Sequence, residues 1–423
     1  MLRVDVKLAT AGMTLAMPVR NPNNPNRNLL SAGFTLSAEV IERLKQMLVR
    51  EVMVRYPGLE ALDKYVNPQV LERRGTLARR LEHTFDQIKY EAAANIPYDQ
   101  YMSELGQLLD NLLGNPAAIL FIEEAGAART SILEHASAVA YMSLLIGVKL
   151  DGYLIKQRRT LPPRFARMLG NLGIGAMLHD VGLLKLEPHV LKRHQETGGM
   201  DDPAWRAHVR IGHELVRGQV EPTAAVVVLD HHQHFDGSGF PYRRSVEGKP
   251  LAPSGERIHV FARITTVADV YDEMRHRPDD VTVPAVRVIR QMLEPARIGW
   301  FDPQVLWAFL QVAPPYPPLS PVRLSDGRWA VPVEHNPSDP CRPKVQALAG
   351  SGPDAPEFDP GACYDAPVID LTQTPELHIC WSEGQDVSAD NFTLPDHLAR
   401  GGSMNVHAAA IATPEMPETA AAD

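Results

Sequence analysis

His231-His-Gln-His-Phe-Asp-Gly-Ser-Gly-Phe-Pro241 follows the apolar run Val226-Val-Val-Leu-Asp230, and its reading decides what kind of domain surrounds it. Two adjacent imidazoles at the polar end of a hydrophobic helix, running into a Gly-rich turn, are out of place in an ordinary core. A second adjacent pair, His179-Asp180, ends the apolar helix Asn171-Leu-Gly-Ile-Gly-Ala-Met-Leu178. Neighbouring side chains on a helix point about 100° apart, so consecutive ligands suit two ions better than one. Two-metal hydrolytic sites hold their ions roughly 3.5–4 Å apart, and a diverging pair gives one ligand to each. Imidazole and carboxylate without thiolate fit iron, manganese or zinc.

Further ligand types stand at the ends of other helical runs. Trp205-Arg-Ala-His-Val-Arg-Ile-Gly212 carries His208, and Arg263-Ile-Thr-Thr-Val-Ala-Asp-Val-Tyr-Asp272 carries Asp269. His135 shares a helical face with Ile132, Val139 and Ile146, which puts it on the buried side. A single histidine there is more often a satisfied core residue, by about three to one. Context shifts that weight, because ten of the sixteen histidines lie between 179 and 276.

The 423 residues predict two or three domains, and 44% hydrophobic content suffices for their cores. A net charge of −9 argues against non-specific binding to a nucleic-acid polymer through a basic surface. Cys341, Cys363 and Cys380 are odd in number and widely spaced, so neither a disulfide framework nor a thiolate site is expected, and a reducing cytoplasm is the default. Met1-Leu-Arg-Val-Asp-Val-Lys-Leu lacks a signal-peptide pattern, and no uninterrupted run of roughly 18 apolar residues predicts a transmembrane helix.

In chain order, residues 1–66 read as a small α+β module, with alternating strands around Val4 and Val19, a helix capped by Ser37 and a strand at Glu51–Tyr56. Residues 70–115 are helical and charged. They read as a connector or homo-oligomer surface, or more simply as helices packing on the next domain. Residues 116–312 are dominated by helices. The proline-rich Pro314-Pro-Tyr-Pro-Pro318 then links to a small β-containing module over 319–400, with a hairpin turning at Ser325-Asp-Gly327. Residues 401–423 read as a disordered tail. The fold class is mainly α with small β-containing terminal modules.

Over residues 116–312 the motifs resemble the HD-GYP family, a branch of the HD phosphohydrolases whose members degrade cyclic diguanylate. The run His231–Pro241 is similar to the family's double histidine, Asp-Gly-Ser-Gly, aromatic and proline, with Phe240 where tyrosine gives the name. The resemblance implies an all-helical HD-type domain binding two divalent metals, iron or manganese, through His135, His179, Asp180, His208, His231, His232 and Asp269. Asp180 would bridge the metals and be central to catalysis. It implies hydrolysis of the cyclic dinucleotide to the linear form, and to GMP after a second cleavage, by hydroxide activated between two metals. It also links the loop Gly237, Ser238, Gly239, Phe240 and Pro241 to diguanylate cyclase (GGDEF-type) partners, with Phe240, if exposed, as an apolar anchor. The competing reading of that loop is a tight turn that needs glycine.

Three departures bear on substrate. The family's lysine three residues after the His-Asp carboxylate is Leu183 here, and Lys185, the nearest cation, points about 200° away on a helix. The Arg-Pro-Tyr segment is replaced by Arg275-His-Arg-Pro-Asp279, leaving Arg275 and Arg277 as substrate-binding candidates. Ser131 stands where some relatives carry a third-metal glutamate, which favours two metals. The alternatives are a weakly active or inactive nucleotide-binding sensor or adaptor, and a hydrolase of another phosphoester.

Overall fold

The computed structural model describes residues 1–21, 24–91, 95–121, 131–244, 250–276, 282–348 and 366–399. Residues 401–423, Cys363 and Arg277 lie outside them.

The N-terminal module comprises β1 (Leu2–Asp5), β2 (Val19–Asn21), β3 (Asn24–Leu30), α1 (Ala38–Gln46) and β4 (Glu51–Val54). β1 pairs antiparallel with β4, Leu2 opposite Val54, while β2 pairs with β3. Ser37 caps α1 by accepting from the Val40 N–H, which satisfies one of the donors every helix start leaves open.

Helices then follow almost without interruption. α2 (Pro68–Tyr90) and α3 (Tyr98–Leu113) lead to α4 (Ile132–Lys149), α5 (Asp151–Gln157), α6 (Pro163–Ala166) and α7 (Gly170–Leu178). A short 3₁₀ turn (Val181–Lys185) precedes α8 (Pro188–Thr197), α9 (Pro203–Arg206), α10 (His208–Val216) and α11 (Pro222–Asp230). A two-stranded ribbon, β5 (Arg243–Arg244) with β6 (Pro250–Leu251), separates these from α12 (Val260–Arg275), α13 (Ala285–Met292), α14 (Pro295–Ile298) and α15 (Pro303–Val312). Proline opens many of these helices, among them Pro68, Pro188, Pro203, Pro222 and Pro303. At that position its missing N–H costs nothing and its fixed φ already suits the helix. These prolines therefore start helices instead of breaking them.

The residues read as a connector are not a separate layer. Leu77, Leu81, Phe85 and Ile88 of α2 and Tyr101, Leu105, Leu108 and Leu112 of α3 join one hydrophobic core with α4, α7, α11, α12 and α15. α12 is its axis, with Phe261, Ile264, Val267 and Ala268 fully buried. Each large side chain buried this way stabilises the fold by about 1.5–3 kcal/mol, so the polar end of α12 is held in place by its apolar length. α4 is long and apolar enough to span a bilayer by composition, yet it is largely enclosed by its neighbours. Its N-terminus is fixed by a capping box in which Ser131 accepts from the Glu134 N–H and Glu134 reaches back to Ser131. That engagement gives Ser131 a structural task.

The C-terminal module is a six-stranded antiparallel sheet of β7 (Val322–Leu324), β8 (Trp329–Glu334), β9 (Lys344–Ala347), β10 (Val368–Asp370), β11 (Ile379–Ser382) and β12 (Gln385–Asp386), in the order β10-β9-β8-β7-β11-β12. α16 (Asp396–Ala399) follows. The period-2 alternation of β8 places Trp329 and Val331 on one face and Ala330 on the other. The first face completes the core of the N-terminal module, packing with Leu2, Leu15, Val54 and Leu62. Arg3 N–H donates to Leu319 O at 2.7 Å and the Tyr65 hydroxyl to Val333 O at 2.7 Å. The two modules that the sequence presents as separate units therefore share one core. The other face packs Ala330 with Val286 and Tyr316, against the helical domain.

Candidate metal centre

Seven side chains from five segments converge at the polar ends of the apolar helices. They are His135 on α4, His179 and Asp180 after α7, His208 on α10, His231 and His232 after α11, and Asp269 on α12. His179, His208, His231 and Asp269 are at most 1% exposed. Ligand atoms of His135, His179 and Asp180 lie within 4.8 Å of one another, as do those of Asp180, His208, His231 and His232, and those of His179, His231 and Asp269.

Asp180 belongs to two of these groups through different oxygens. Its Oδ2 is 3.4 Å from His179 Nε2 and 3.8 Å from His135 Nε2, while its Oδ1 is 3.4 Å from His208 Nε2 and 3.5 Å from His231 Nε2. Asp269 joins the first side, its Oδ1 3.1 Å from His135 Nε2 and 3.5 Å from His179 Nε2, and its Oδ2 3.9 Å from His232 Nδ1.

The imidazoles are aimed from behind. His179, His208 and His231 each donate from Nδ1 to the carbonyl three residues earlier, Ala176 at 2.8 Å, Trp205 at 2.7 Å and Val228 at 3.0 Å. That fixes the tautomer and turns Nε2 inward. His135 Nδ1 instead meets Asp272 Oδ2 at 2.9 Å. Asp272 was not singled out in the sequence, although its place three residues after Asp269, on the same helical face, is the signal that could have found it.

Close backbone packing sets the positions. A Cβ on Gly182 would stand 2.0 Å from His208 O and 2.7 Å from Gly212 N, so only glycine lets the turn after Asp180 press against α10. Gly239 is equally constrained, 2.3 Å from His232 O. The Gly-rich loop thus buttresses the double histidine. Phe240 is 5% exposed and stacks on His232 at 4.7 Å, beside Trp205 and beneath the Arg206 guanidinium at 4.6 Å. The exposure on which an apolar anchor for a cyclase partner depends is therefore not met at Phe240; the exposed positions of the loop are Asp236 and Ser238.

The electrostatics suit cations. Burial works against the charge of Asp180, yet His179, His231 and His208 hold it well below the usual carboxylate range. Burial also opposes charge on His179, but Asp180 and Asp269 outweigh it and carry the imidazole up to about 10. Burial lowers His208 to about 4 and holds His232 well below the ordinary imidazole range. Among the described residues the ion-pair partners of Asp180 and Asp269 are all histidines. His232 Nε2 is buried with no hydrogen-bond partner among the described residues, a costly arrangement unless an ion or its water takes it up. The donor set therefore fits divalent metal.

The cationic candidates do not join this cluster. Lys185 is exposed and donates to Glu91 O at 3.2 Å. Arg275 is 1% exposed, and its guanidinium donates to Val283 O and to Glu383 at 2.7 and 3.0 Å. The expectation that Arg275 grips substrate is corrected by that commitment, which ties α12 to the turn after β11. Leu183 packs with Val190, Trp205, Val209 and Phe240, so the position of the family's lysine contributes an apolar wall.

A family model described as an HD domain matches residues 165–305. Residues 165–305, a third of the chain, are thus similar to an HD domain. The matched span holds His179, Asp180, His208, His231, His232 and Asp269, while His135 lies upstream. Among curated relatives, the chain is 28% identical over 244 residues to the cyclic di-GMP phosphodiesterase PA4108 of Pseudomonas aeruginosa, covering 56% of this chain and 53% of that protein. It is 34% identical over 104 residues to the cyclic di-GMP phosphodiesterase response regulator RpfG of Xanthomonas campestris, covering 24% and 25%. It is 26% identical over 140 residues to the 3'3'-cGAMP-specific phosphodiesterase 2 of Vibrio cholerae, covering 32% and 24%. The chain thus spans about half the length of the first relative and about a quarter of the other two. These matches agree with the HD-GYP resemblance, and an HD domain implies a bound divalent metal.

Proposed function

We propose that this HD domain is a two-metal phosphodiesterase of the HD-GYP type that opens a cyclic dinucleotide, with cyclic diguanylate the first substrate to test and the linear dinucleotide the first product. The observation that carries the reading is the division of Asp180, one oxygen toward His135 and His179 and the other toward His208 and His231. A single bridging carboxylate between two imidazole groups is the arrangement a pair of ions needs. Iron or manganese suits these ligands.

Bound metals would supply an activated water and a charge sink for the phosphodiester oxygen. The chain's own residues do the rest. The carbonyls behind His179, His208 and His231 and the carboxylate behind His135 keep four Nε2 atoms inward, so the site is assembled before substrate arrives. Phe240, Trp205 and Leu183 keep one side apolar, which strengthens the electrostatics there.

The test measures metal by elemental analysis, and turnover of cyclic diguanylate, on anaerobically purified protein and on a His179→Ala, Asp180→Ala double variant. About two ions per chain and hydrolysis lost in the variant are expected. Metal-replete protein that leaves cyclic diguanylate intact would sink the substrate assignment. The burial of Arg275 and the presence of Leu183 give a second reading its footing, that of a metal-holding sensor or a hydrolase of another cyclic dinucleotide. Equilibrium binding without turnover, or turnover of 3'3'-cGAMP in the same assay, would select it.

A further inference from the structure

The segment between α5 and α7 is unlike the rest of the surface. On a chain of net charge −9, residues 149–168 carry six cations (Lys149, Lys156, Arg158, Arg159, Arg164, Arg167) and one acid, Asp151. Arg159–Phe165 are seven consecutive exposed residues, so the chain projects as a convex turn there. Leu161, Phe165 and Met168 stand on it 39%, 44% and 49% exposed.

The turn is built rather than loose. Arg158 donates to the carbonyls of Ala166 at 2.7 Å, Phe165 at 3.3 Å and Met168 at 3.4 Å, and its guanidinium lies 4.5 Å over the Phe261 ring. Ala166 is fully buried beneath it. The cation that could have been spent outward is spent on shaping the turn, and the others are left facing solvent. Among the described residues Asp151 pairs with Arg167, at 3.7 Å between half-exposed side chains, and the exposed Glu256 accepts from Gln157 at 2.8 Å, contacts too exposed to neutralise the patch. Arg164 lies 4.6 Å over Phe165, so charge and apolar surface are interleaved.

The patch lies away from the metal centre. His135, near the start of α4, meets Asp269 and Asp272, whereas Tyr153, beyond its end, bonds Arg263 near the start of α12. The two helices therefore run antiparallel, and the fourteen residues from His135 to Lys149 separate the sites by about 21 Å. The substrate does not account for it.

We propose that this turn docks the protein on an anionic lipid bilayer. A convex tip of leucine, phenylalanine and methionine ringed by Lys and Arg can sink its apolar side chains to headgroup depth while its cations meet acidic headgroups. An acidic protein helix would need a groove to receive it, and seven exposed residues in a row do not make one. The overall negative charge repels the remaining surface from the same bilayer, which fixes orientation.

The full-length protein is sedimented with phosphatidylcholine vesicles with and without phosphatidylserine. Binding is expected only when phosphatidylserine is present, and to weaken as salt is raised. The Arg159→Ser, Arg164→Ser variant is expected to lower the partition coefficient by about thirtyfold, and Leu161→Ser, Phe165→Ser to lower it while keeping the salt dependence, both at unchanged metal content. Equal recovery with neutral vesicles, or variants that bind like the parent, would overturn the proposal. Retention on immobilised poly-glutamate without vesicle binding would overturn it too, in favour of an acidic protein partner.

Discussion

His208 and His231 are aimed at Asp180 by backbone carbonyls three residues earlier, at 2.7 and 3.0 Å, whereas His135, facing the other oxygen, is aimed by a side chain, Asp272, at 2.9 Å. The first half is fixed by local backbone geometry. The second holds His179, aimed by the Ala176 carbonyl, but through His135 it also depends on where the end of α12 lies, and that end is tied to the C-terminal sheet, because Arg275 is held by Glu383. One half of the centre is thus a property of the helical core and the other a property of how two modules meet.

The largest effect should come from the residue both halves share. Asp180→Ala is expected to remove both ions by elemental analysis while the circular dichroism spectrum stays helical. Retention of one ion would show that the halves bind independently, and would break the bridging assignment.

Next is the joint. Side chains of Arg275 and Glu383 are 1% and 8% exposed, and Glu383 also accepts from the Ala285 N–H at 2.7 Å. Glu383→Ala removes a carboxylate from a buried ion pair, and breaking such a pair costs about 3–5 kcal/mol, read by chemical denaturation. A change within about 0.5 kcal/mol would mean that the modules are not coupled there.

Asp272→Ala sharpens the comparison further. It should weaken metal affinity about 10–100-fold at one site of the two, giving a biphasic chelator titration where the parent gives a tighter one. Uniform loss at both sites would show that the side-chain-aimed half is not separate.

The smallest effect tests burial away from the site. His335 Nε2 donates to Leu310 O at 2.9 Å, linking the sheet to α15, and burial pushes this imidazole down from 6.5 to about 4. Because the folded value is depressed below the unfolded one, the unfolded chain binds more protons between these values. The contribution is complete above about pH 6.5 and declines as pH falls toward 4. His335→Gln should flatten part of that acid-side loss in a series of thermal unfolding midpoints. An unchanged slope would assign the acid sensitivity elsewhere.

The comparison also explains what the sequence disclosed. Ligands in adjacent pairs at the ends of apolar runs, as in Met177-Leu-His-Asp180 and Val228-Leu-Asp-His-His232, are visible because local periodicity places them. The same holds for the Ser37 cap and the turn at Gly327, whose φ is +90°. Arg275 was misread because its partner stands 108 residues away, and no local pattern announces a pairing of that span. Phe240 was open for the same reason, since Trp205 and Arg206 that cover it come from α9. The shared core of the terminal modules was hidden because Leu2 and Trp329 are joined by packing alone.

That shared core sets a timetable. Leu2, Leu15 and Val54 pack with Trp329, Val331 and Leu348, so strands made early complete their core only with strands made 275 residues or more later. At about 5–20 residues per second the wait is on the order of tens of seconds. During it the helical domain can close around its ligands while the opening module stays unfinished, its apolar strands in the care of whatever holds nascent chains.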